Sequence, residues 1–575
     1  MTAVEILPAP GNAAPFPRRI PAVTTLLEGR RAGRGAVAGV LAGAIAVGVG
    51  QLVASITGPG SSPVVAVGQL EIDFTPPAVK NFAISAFGSR DKLVLVSGIL
   101  VVLAIFAAAL GVLAMRRLAY GLAGLAFFAV VGVIAAATRP AATAADVLPA
   151  LAAAAAGVIA LVALIRAANA DGPVRLPGEA GPGGLAAGAT GSAPVSALSP
   201  VGSAGSGGDQ ASSPTGPVVQ QGRRRFLVVS GAAVGIAAVA GLGGRVLAQW
   251  SSVAGARASL RIPAPAVRAP ALPPGADLRI PGLRPFITPN PIFYRVDTAI
   301  VLPQVAPASW QLRIHGMVRK QISISFAELV RRPLIEDYIT LCCVSNPVAG
   351  PYIGNALWLG ASLASLLREA GIGAGASQLL CTSADGFTSG VPVQAVMDGR
   401  DALLAVSMNG AALPVAHGFP VRMVVPGLYG YVSACKWLTD IEVTTYAAAT
   451  AYWSAGRGWD KQAPIKTESR IDVPTGSNAL PAGKTPVAGV AWAQHKGIDA
   501  VEIRADHGVW QQARLAAVPG IDTWRQWVWD WDATPGQHLL QARATDKTGY
   551  TQTPVPAPPE PNGATGYPTV SVTIT

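Results

Sequence analysis

Two adjacent cysteines, Cys342 and Cys343, carry the most distinctive chemistry in this sequence. The chain has four cysteines in 575 residues and no Cys-x-x-Cys pair, which excludes paired-cysteine zinc sites and covalent haem attachment. A deprotonated thiol is a soft ligand that suits a redox-active metal. The alternatives are a buried structural thiol, or a disulfide with Cys381 or Cys435 in an oxidising compartment. The residue types alone leave these readings open.

A second group of side chains is suited to binding an anion. His417 and Arg422 bound the segment HGFPVR, and Lys436 follows in the segment KWL. Arginine grips phosphate oxygens through paired hydrogen bonds, whereas lysine acts as a point charge. A single histidine before glycine is more often structural, so His417 is a candidate binding residue only because of the residues around it. Arg422 and Lys436 thus have the chemistry to bind an anion such as a phosphate.

Two segments of the chain resemble the sulfite oxidase family of molybdopterin-dependent oxidoreductases. One is residues 340–360 (TLCCVSNPVAGPYIGNALWLG), and the other is residues 409–438, which include NGAALPVAHGFPVR, VPG and KWL. The resemblance covers about residues 280–575 and leaves the first 250 uncovered. It implies a molybdenum–molybdopterin cofactor, Cys343 as the protein ligand to the metal, and two-electron oxygen-atom transfer. The pterin dithiolene would supply two further sulfurs.

The same resemblance assigns roles to other residues. Matches to the family's cofactor-contacting positions are Asn290, His417, Arg422, Ser433 and Lys436, with Tyr294 as a weaker candidate. Trp459 stands near the position of a pocket tyrosine, and Arg457 is close enough in sequence to add positive charge. We expect Trp459 and Arg457 to act with Cys343 in catalysis, on the substrate side.

Two arginines that the sulfite-oxidising members carry are absent from this chain. Pro347 and Val348 follow Asn346, and Pro289 precedes Asn290. Sulfite is a small dianion that such arginines would bind. A less charged oxo donor or acceptor, such as a sulfoxide or an N-oxide, therefore fits this pocket at least as well.

The composition indicates several membrane spans ahead of this region. Hydrophobic residues make up 51% of the chain and charged residues 13%, and the mean hydropathy of +0.43 excludes a purely soluble enzyme or a disordered scaffold. Apolar stretches of spanning length are predicted at 36–57, 93–115, 118–137, 147–165 and 226–247. The net charge of +12 clusters at their ends, which is typical of membrane topology signals and argues against nucleic-acid binding.

The arginine flanks also predict the topology. We expect a cytoplasmic basic tail (1–35), a four-helix transmembrane region (36–167), a Gly/Ala/Ser/Pro-rich linker (168–222), and an arginine-rich segment with the fifth span (223–248). The residues before the fifth span, RRRFL at 223–227, resemble a twin-arginine export signal, although three arginines also anchor a helix end. The N-terminus is then cytoplasmic, and everything after residue 250 lies outside the plasma membrane.

The exported half divides by pattern into two domains. Residues 259–475 mix short strands with helices, as expected for the α+β molybdopterin domain of the family. One helix is predicted at 362–370, with Gly371 as its stop. Residues 477–575 repeat short alternating runs about ten residues apart, which predicts an Ig-like β sandwich. In the family this sandwich mediates dimerisation, so the resemblance implies a homodimer. The predicted fold class is thus a five-helix all-α transmembrane region, an α+β molybdopterin domain and a β sandwich.

Electron transfer is also constrained by residue positions. All five histidines follow residue 300, so the spans have no histidine to bind a haem, and we expect no haem. Electrons would pass to a separate carrier, either a cytochrome or a quinone-linked protein. The other expected partners are the lipid bilayer and a small oxyanion or oxo donor or acceptor. Two alternatives remain: a cofactor-free extracellular binding module, and a transporter or sensor that works through its four-helix half.

Overall fold

The computed structural model describes residues 21–76, 79, 91–139, 142–170, 218–250, 252–476 and 479–575. Most of the predicted linker (168–222), and the first 20 residues of the predicted basic tail, lie outside these residues. The chain divides into two compact units. One comprises residues 1–49, 101–130 and 151–242, and the other comprises residues 50–100, 131–150 and 243–575.

Long helices dominate the first 250 residues. They are α1 (Pro21–Thr57), α2 (Pro63–Phe74), α3 (Asp91–Arg116), α4 (Leu118–Ala137), α5 (Leu148–Ala168) and α6 (Val218–Trp250). Among the described residues, five stretches are long and apolar enough to cross a membrane: Arg31–Thr57, Lys92–Arg116, Leu118–Ala137, Ala144–Ala168 and Arg224–Gly244. Each contains one of the predicted apolar segments or most of it. The sequence pattern missed α2, which is too short to span a bilayer.

Glycines allow α1 and α3 to pack at close range in the first unit. A Cβ atom built on Gly111 would collide with the backbone carbonyl of Gly35, and one built on Gly39 would collide with the carbonyl of Ala107. Small residues four apart let helix backbones approach in this way, so that van der Waals contact replaces the missing hydrophobic driving force in lipid. The richness in Gly and Ala thus has a packing role.

One mixed sheet and one antiparallel sheet form the middle of the chain. Their strands are β1 (Gln311–Gly316), β2 (Ile322–Ser325), β3 (Leu334–Cys342), β4 (Ile353–Ser362), β5 (Gln378–Ser383), β6 (Thr388–Pro392), β7 (Leu403–Met408), β8 (Ala411–Ala412), β9 (Arg422–Val424) and β10 (Leu438–Thr444). One sheet has the order β2-β1-β10-β5-β6, with β1 and β10 parallel. The other has the order β3-β4-β7-β8, with β9 beside β7.

Short helices connect these strands. They are α7 (Ala254–Ser259), α8 (Phe326–Val330), α9 (Leu363–Ala370), α10 (Val393–Met397) and α11 (Gly430–Ser433). The predicted helix at 362–370 is confirmed as α9. Ser362 accepts a hydrogen bond from the backbone of Ser365, and Gly371 ends the helix at a φ of 69°, which glycine tolerates without strain.

Two antiparallel four-stranded sheets form the C-terminal region. Their strands are β11 (Glu468–Val473), β12 (Gly483–Trp492), β13 (Ile498–Ala505), β14 (Gln511–Gln512), β15 (Arg514–Leu515), β16 (Arg525–Ala533), β17 (Gly536–Asp546) and β18 (Thr569–Ile574). Their orders are β11-β12-β16-β15 and β14-β13-β17-β18. A shared core includes Val487, Trp527 and Leu540. The first of these sheets begins at Glu468, which lies before the predicted boundary at 477.

A buried polar network joins this region to the strand that leads to Cys343. The Thr340 hydroxyl on β3 donates to Asn355 Oδ1 at 2.9 Å and accepts from the backbone N–H of Trp524 at 2.7 Å. Gln494 donates to the Thr340 carbonyl at 3.1 Å, and Trp524 Nε1 donates to the carbonyl of Phe286 at 2.8 Å. These bonds fix β3 against the C-terminal sheets, three residues ahead of the cysteine.

Replacing Thr340 by valine keeps the side-chain shape but removes the hydroxyl. We expect the free energy of unfolding to fall by about 2–4 kcal/mol, because the Trp524 N–H and Asn355 Oδ1 would lose buried partners. Urea unfolding followed by tryptophan fluorescence measures the change. Thr439→Val is the matched control, since the half-buried Thr439 hydroxyl makes a single bond to the Thr382 carbonyl. Equal midpoints for the two variants would contradict the role given to Thr340.

Candidate functional site

Cys343 is the first residue after β3, at the start of a tight loop that returns to β4. Its backbone N–H donates to the Tyr352 carbonyl at 2.9 Å, and its carbonyl accepts from the Asn346 N–H at 3.1 Å. Asn346 Oδ1 accepts from the Tyr352 N–H at 2.7 Å, which closes the loop. The end of a strand thus presents one thiol, while Cys342 belongs to the strand itself.

The electrostatics around Cys343 oppose an unassisted thiolate. Burial raises the pKa of the Cys343 thiol, while a hydrogen bond from Ser345 and the charge of Lys436 act in the opposite direction. The Cys343 Sγ to Ser345 Oγ distance is 2.9 Å. Cys342, Cys381 and Cys435 are also free and buried. A metal ion is the partner that would keep such a buried thiol deprotonated.

Arg422, at the start of β9, is a buried cation held by neutral groups. Its side chain donates to the carbonyls of His417 at 3.2 Å, Ala434 at 3.2 Å and Met423 at 3.5 Å. Its guanidinium lies 5.1 Å from the ring centroid of Trp358. Only 5% of the residue is exposed, and burial lowers the pKa of Arg422 to about 10. Carbonyls and a ring orient this cation but do not neutralise it.

Lys436 lies in the same region and is paired with a carboxylate. Its Nζ is 2.8 Å from Asp297 Oδ2, and Lys92 and Arg295 also pair with Asp297. Burial lowers the pKa of Lys436 to about 8, although Asp297 acts to raise it. Burial alone would raise the pKa of Asp297, but Lys436 and Lys92 hold it well below its ordinary value.

Asn290 and His417 meet at a second corner of the site. His417 Nε2 lies 3.3 Å from the Asn290 carbonyl, and Asn290 Oδ1 accepts from Asn409 Nδ2 at 2.8 Å. Burial lowers the pKa of His417 to about 4, reinforced by the cations Arg422 and Lys436. His417 is therefore a neutral ring at pH 7. It can donate or accept a hydrogen bond, but it adds no positive charge.

Tyr294 is closer to the centre of the site than sequence reasoning indicated. Burial raises the pKa of its hydroxyl, helped by Cys343 and Cys342 and opposed by Arg422. Its ring stacks on Phe293, with centroids 5.2 Å apart. Tyr294 thus interacts electrostatically with both the thiol and the guanidinium. Its place in the segment that follows Asn290 was the only signal in the sequence.

The structure gives the Ser433 hydroxyl a local role. Ser433, at the end of α11, is fully buried and donates to the carbonyls of Leu428 at 2.8 Å and Tyr429 at 3.2 Å. A Cβ built on Gly430, in the same helix, would lie 3.7 Å from the Tyr294 hydroxyl and 3.5 Å from the Cys342 carbonyl. The hydroxyl of Ser433 thus stabilises a turn that borders the site. Its contact with the cofactor stays a prediction.

Arg457 and Trp459 lie in an aromatic loop. The Arg457 guanidinium is 3.8 Å from the ring centroid of Tyr452, and its Nη1 donates to the Tyr452 carbonyl at 2.9 Å. Trp459 packs 5.9 Å from Tyr431 and 6.3 Å from Trp453, measured between ring centroids. Tyr431 belongs to α11, so the loop approaches the site through that helix. The catalytic roles of Arg457 and Trp459 stay predictions.

Arg470 is a structural residue of the loop after Cys343. Its Nη1 donates to the Gly350 carbonyl at 3.0 Å, and its Nε pairs with Asp472 at 2.5 Å. The ion pair neutralises its charge. Arg470 therefore does not replace the arginine that is missing after Asn346, where Pro347 and Val348 stand.

The residues present fit a molybdopterin cofactor. Arg422 is a buried cation without a carboxylate partner, and the buried Asn346 Nδ2 has no hydrogen-bond partner among the described residues. Buried groups of this kind are normally paired, so they indicate an anionic, hydrogen-bonding ligand. In the described part of the chain no cluster of three or more His, Cys, Asp or Glu could hold a metal.

Comparison with known proteins agrees with this chemistry. Residues 299–453 match the family model described as oxidoreductase molybdopterin binding domain. The chain is 32% identical over 295 residues to sulfite oxidase of Gallus gallus, covering 43% of this chain and 63% of that protein. It is 29% identical over 277 residues to mitochondrial sulfite oxidase of Homo sapiens, covering 40% and 49%. The chain therefore spans less than two thirds of the length of these relatives.

Similarity extends to nitrate reductase (NADH) of Cichorium intybus, at 32% identity over 196 residues, covering 29% of this chain and 21% of that protein. Among solved structures, sulfane dehydrogenase SoxCD from Paracoccus pantotrophus aligns with a TM-score of 0.44 and 24% identity, covering 50% of this chain and 84% of that chain. The residues that the family model matches include Cys343, His417, Arg422, Ser433 and Lys436. The chain thus contains a molybdopterin-binding oxidoreductase domain and is similar to sulfite oxidases.

Proposed function

We propose that this protein is a membrane-anchored oxidoreductase that uses molybdopterin for two-electron oxygen-atom transfer outside the plasma membrane. The observation that carries the proposal is the buried cation Arg422, which among the described residues is held by carbonyls and a ring and not by a carboxylate, in a domain that also holds the buried free thiol of Cys343. The cation would bind the phosphate of a pterin dithiolene, and the thiol would bind the metal that the dithiolene holds.

Each residue of the site has a task in this proposal. Arg422 and Lys436 bind the anionic end of the cofactor, and the neutral ring of His417 supplies a hydrogen bond without adding charge. Cys343 offers a thiolate to molybdenum, and the loop closed by Asn346 fixes its position. When bound, the molybdenum cofactor supplies the oxygen-atom chemistry. Burial raises the pKa of the Tyr294 hydroxyl, so Tyr294 would keep its proton in the site.

We also propose which residues border the substrate and which class of substrate fits. Pro347 is exposed and Val348 half-buried in the loop after Cys343, so neither supplies a charge there. Arg457 and Trp459 would border the approach to the metal from the α11 side. This arrangement favours a less charged oxo donor or acceptor, such as a sulfoxide or an N-oxide, at least as much as sulfite.

The remaining parts serve attachment and assembly in this proposal. The five apolar helices anchor the protein in the bilayer, with the N-terminus in the cytoplasm. Electrons pass to a separate carrier, either a cytochrome or a quinone-linked protein. The C-terminal sheets are an Ig-like sandwich that mediates a homodimer, as the family resemblance implies.

Substituting serine for Cys343 tests the enzymatic part of the proposal. We expect Cys343→Ser to lower turnover of sulfite, dimethyl sulfoxide and trimethylamine N-oxide at least ~100-fold, because a hydroxyl is a poor soft ligand. Molybdenum content by mass spectrometry, and turnover with an artificial electron carrier, provide the measurement on the full chain.

Cys342→Ser is the matched control, because it removes the neighbouring thiol from the same buried segment. We expect this variant to keep its molybdenum and most of its turnover. Wild-type protein that folds in a host making the cofactor, yet contains no molybdenum, would favour the cofactor-free binding module instead.

Topology is tested by labelling introduced cysteines in intact cells. All four native cysteines are buried, so background labelling will be low. Val509, in the C-terminal region, is 79% exposed, and Gly29 lies exposed ahead of the first apolar span. We expect a membrane-impermeant maleimide to label Val509→Cys in intact cells but Gly29→Cys only after lysis. The reverse pattern would place the catalytic domain in the cytoplasm.

A further inference from the structure

Asp297 is a buried carboxylate shared by cations from three parts of the chain. Its side chain is 3% exposed, and it pairs with Lys436 at 2.8 Å, with Arg295 at 2.9 Å and with Lys92. Lys92 Nζ also donates to the carbonyl of Ala299 at 2.6 Å. The family resemblance assigned a role to Lys436 alone. Nothing in the sequence linked Asp297 or Lys92 to the site.

Lys92 opens the second apolar span, and a second contact brings this part of the chain to the same place. Within the same compact unit, a Cβ built on Gly68 of α2 would lie 2.9 Å from Ile300 Cδ1 and 3.2 Å from Ile99 Cδ1. The segment 295–300 is therefore held by an ionic contact at Asp297 and an apolar contact at Ile300. One contact is ionic and the other apolar, and both hold the segment 295–300 against the start of the second apolar span and its neighbour α2.

We propose that Lys92, at the start of the second apolar span, is a positioning residue of the cofactor pocket. Its ammonium shares the charge of Asp297, so that Lys436 keeps positive charge available for the anionic end of the cofactor. The inference rests on the function proposed above, because it assigns the anion near Lys436 to molybdopterin. It gives the membrane segment a part in the site.

The effect of Lys92 is clearest from how Asp297 would pair without it. Without Lys92, Asp297 would rely on Lys436 and the more exposed Arg295, so Lys436 would be bound more tightly to the carboxylate and less free to meet a phosphate. Arg295 contacts the same carboxylate oxygen as Lys436, but its side chain is 40% exposed, against 22% for Lys92. Water and salt screen an exposed charge more effectively.

The first test measures cofactor retention by the full-length protein in detergent. We expect Lys92→Met to lose molybdopterin about tenfold faster than wild type, with pterin fluorescence as the readout. Arg295→Met removes the same formal charge from the same carboxylate and is the matched control, with an expected effect below about threefold. Lys92→Arg should restore wild-type retention. Equal loss rates for Lys92→Met and Arg295→Met would overturn the proposal.

The second test needs no cofactor. In cofactor-free protein, acetylation of Lys436 as a function of pH, read by mass spectrometry, reports the pKa of its amine. Lys92 lowers that pKa and Asp297 raises it, so Lys92→Met should move the labelling midpoint to higher pH. Arg295→Met should leave the midpoint nearly unchanged. An unchanged labelling midpoint in Lys92→Met would contradict the proposed effect of Lys92 on Lys436.

The two tests separate the proposals. A shifted midpoint, in a protein that never acquires molybdopterin, would refute the proposed function while keeping the Lys92–Asp297–Lys436 contact. A shifted midpoint with unchanged cofactor retention would refute the positioning role, since Lys436 would then bind the cofactor equally well without Lys92.

Discussion

A surplus of buried positive charge beside a buried thiol is the constraint on which the rest of the site depends. Arg422 is 5% exposed and held by carbonyls, and Lys436 shares its one carboxylate partner with two other cations. Burying a cation without a counter-ion costs several kcal/mol, so a fold keeps such a group only where something compensates for it. A bound anion would do so. The neutral state of His417, enforced by burial and the neighbouring cations, limits that surplus.

Buried hydrogen bonds fix the backbone on both sides of Cys343. Cys343 follows directly from β3, and Thr340 locks that strand through buried hydrogen bonds to Trp524 and Asn355. Arg470 braces the loop after the cysteine through the Gly350 carbonyl. The C-terminal sheets therefore contribute to the position of the thiol as well as forming a domain of their own.

Local patterns predicted much of this architecture. The apolar segments of spanning length correctly predicted the five apolar helices. The helix start near Ser362 and the stop at Gly371 correctly predicted α9. The motif around Cys343 and the His417–Arg422 segment led to the resemblance to sulfite oxidases that the comparisons bear out, because both are contiguous in sequence. By contrast, the pairing of Lys92 with Asp297 joins residues 205 positions apart, and Lys436 lies 139 positions from Asp297. No local periodicity encodes such contacts. The sequence made Tyr294 only a weak candidate for the same reason, because the groups that act on its hydroxyl, such as Cys343 and Arg422, are distant in sequence.

The most direct test counts the sulfur ligands of molybdenum by X-ray absorption in the full-length protein. If Cys343 is the protein ligand, the wild type will show one more sulfur on the metal than Cys343→Ser, while Cys342→Ser will match the wild type. An equal sulfur count in wild type and Cys343→Ser would contradict the account, because the thiol that ends β3 would then have no part in holding the metal.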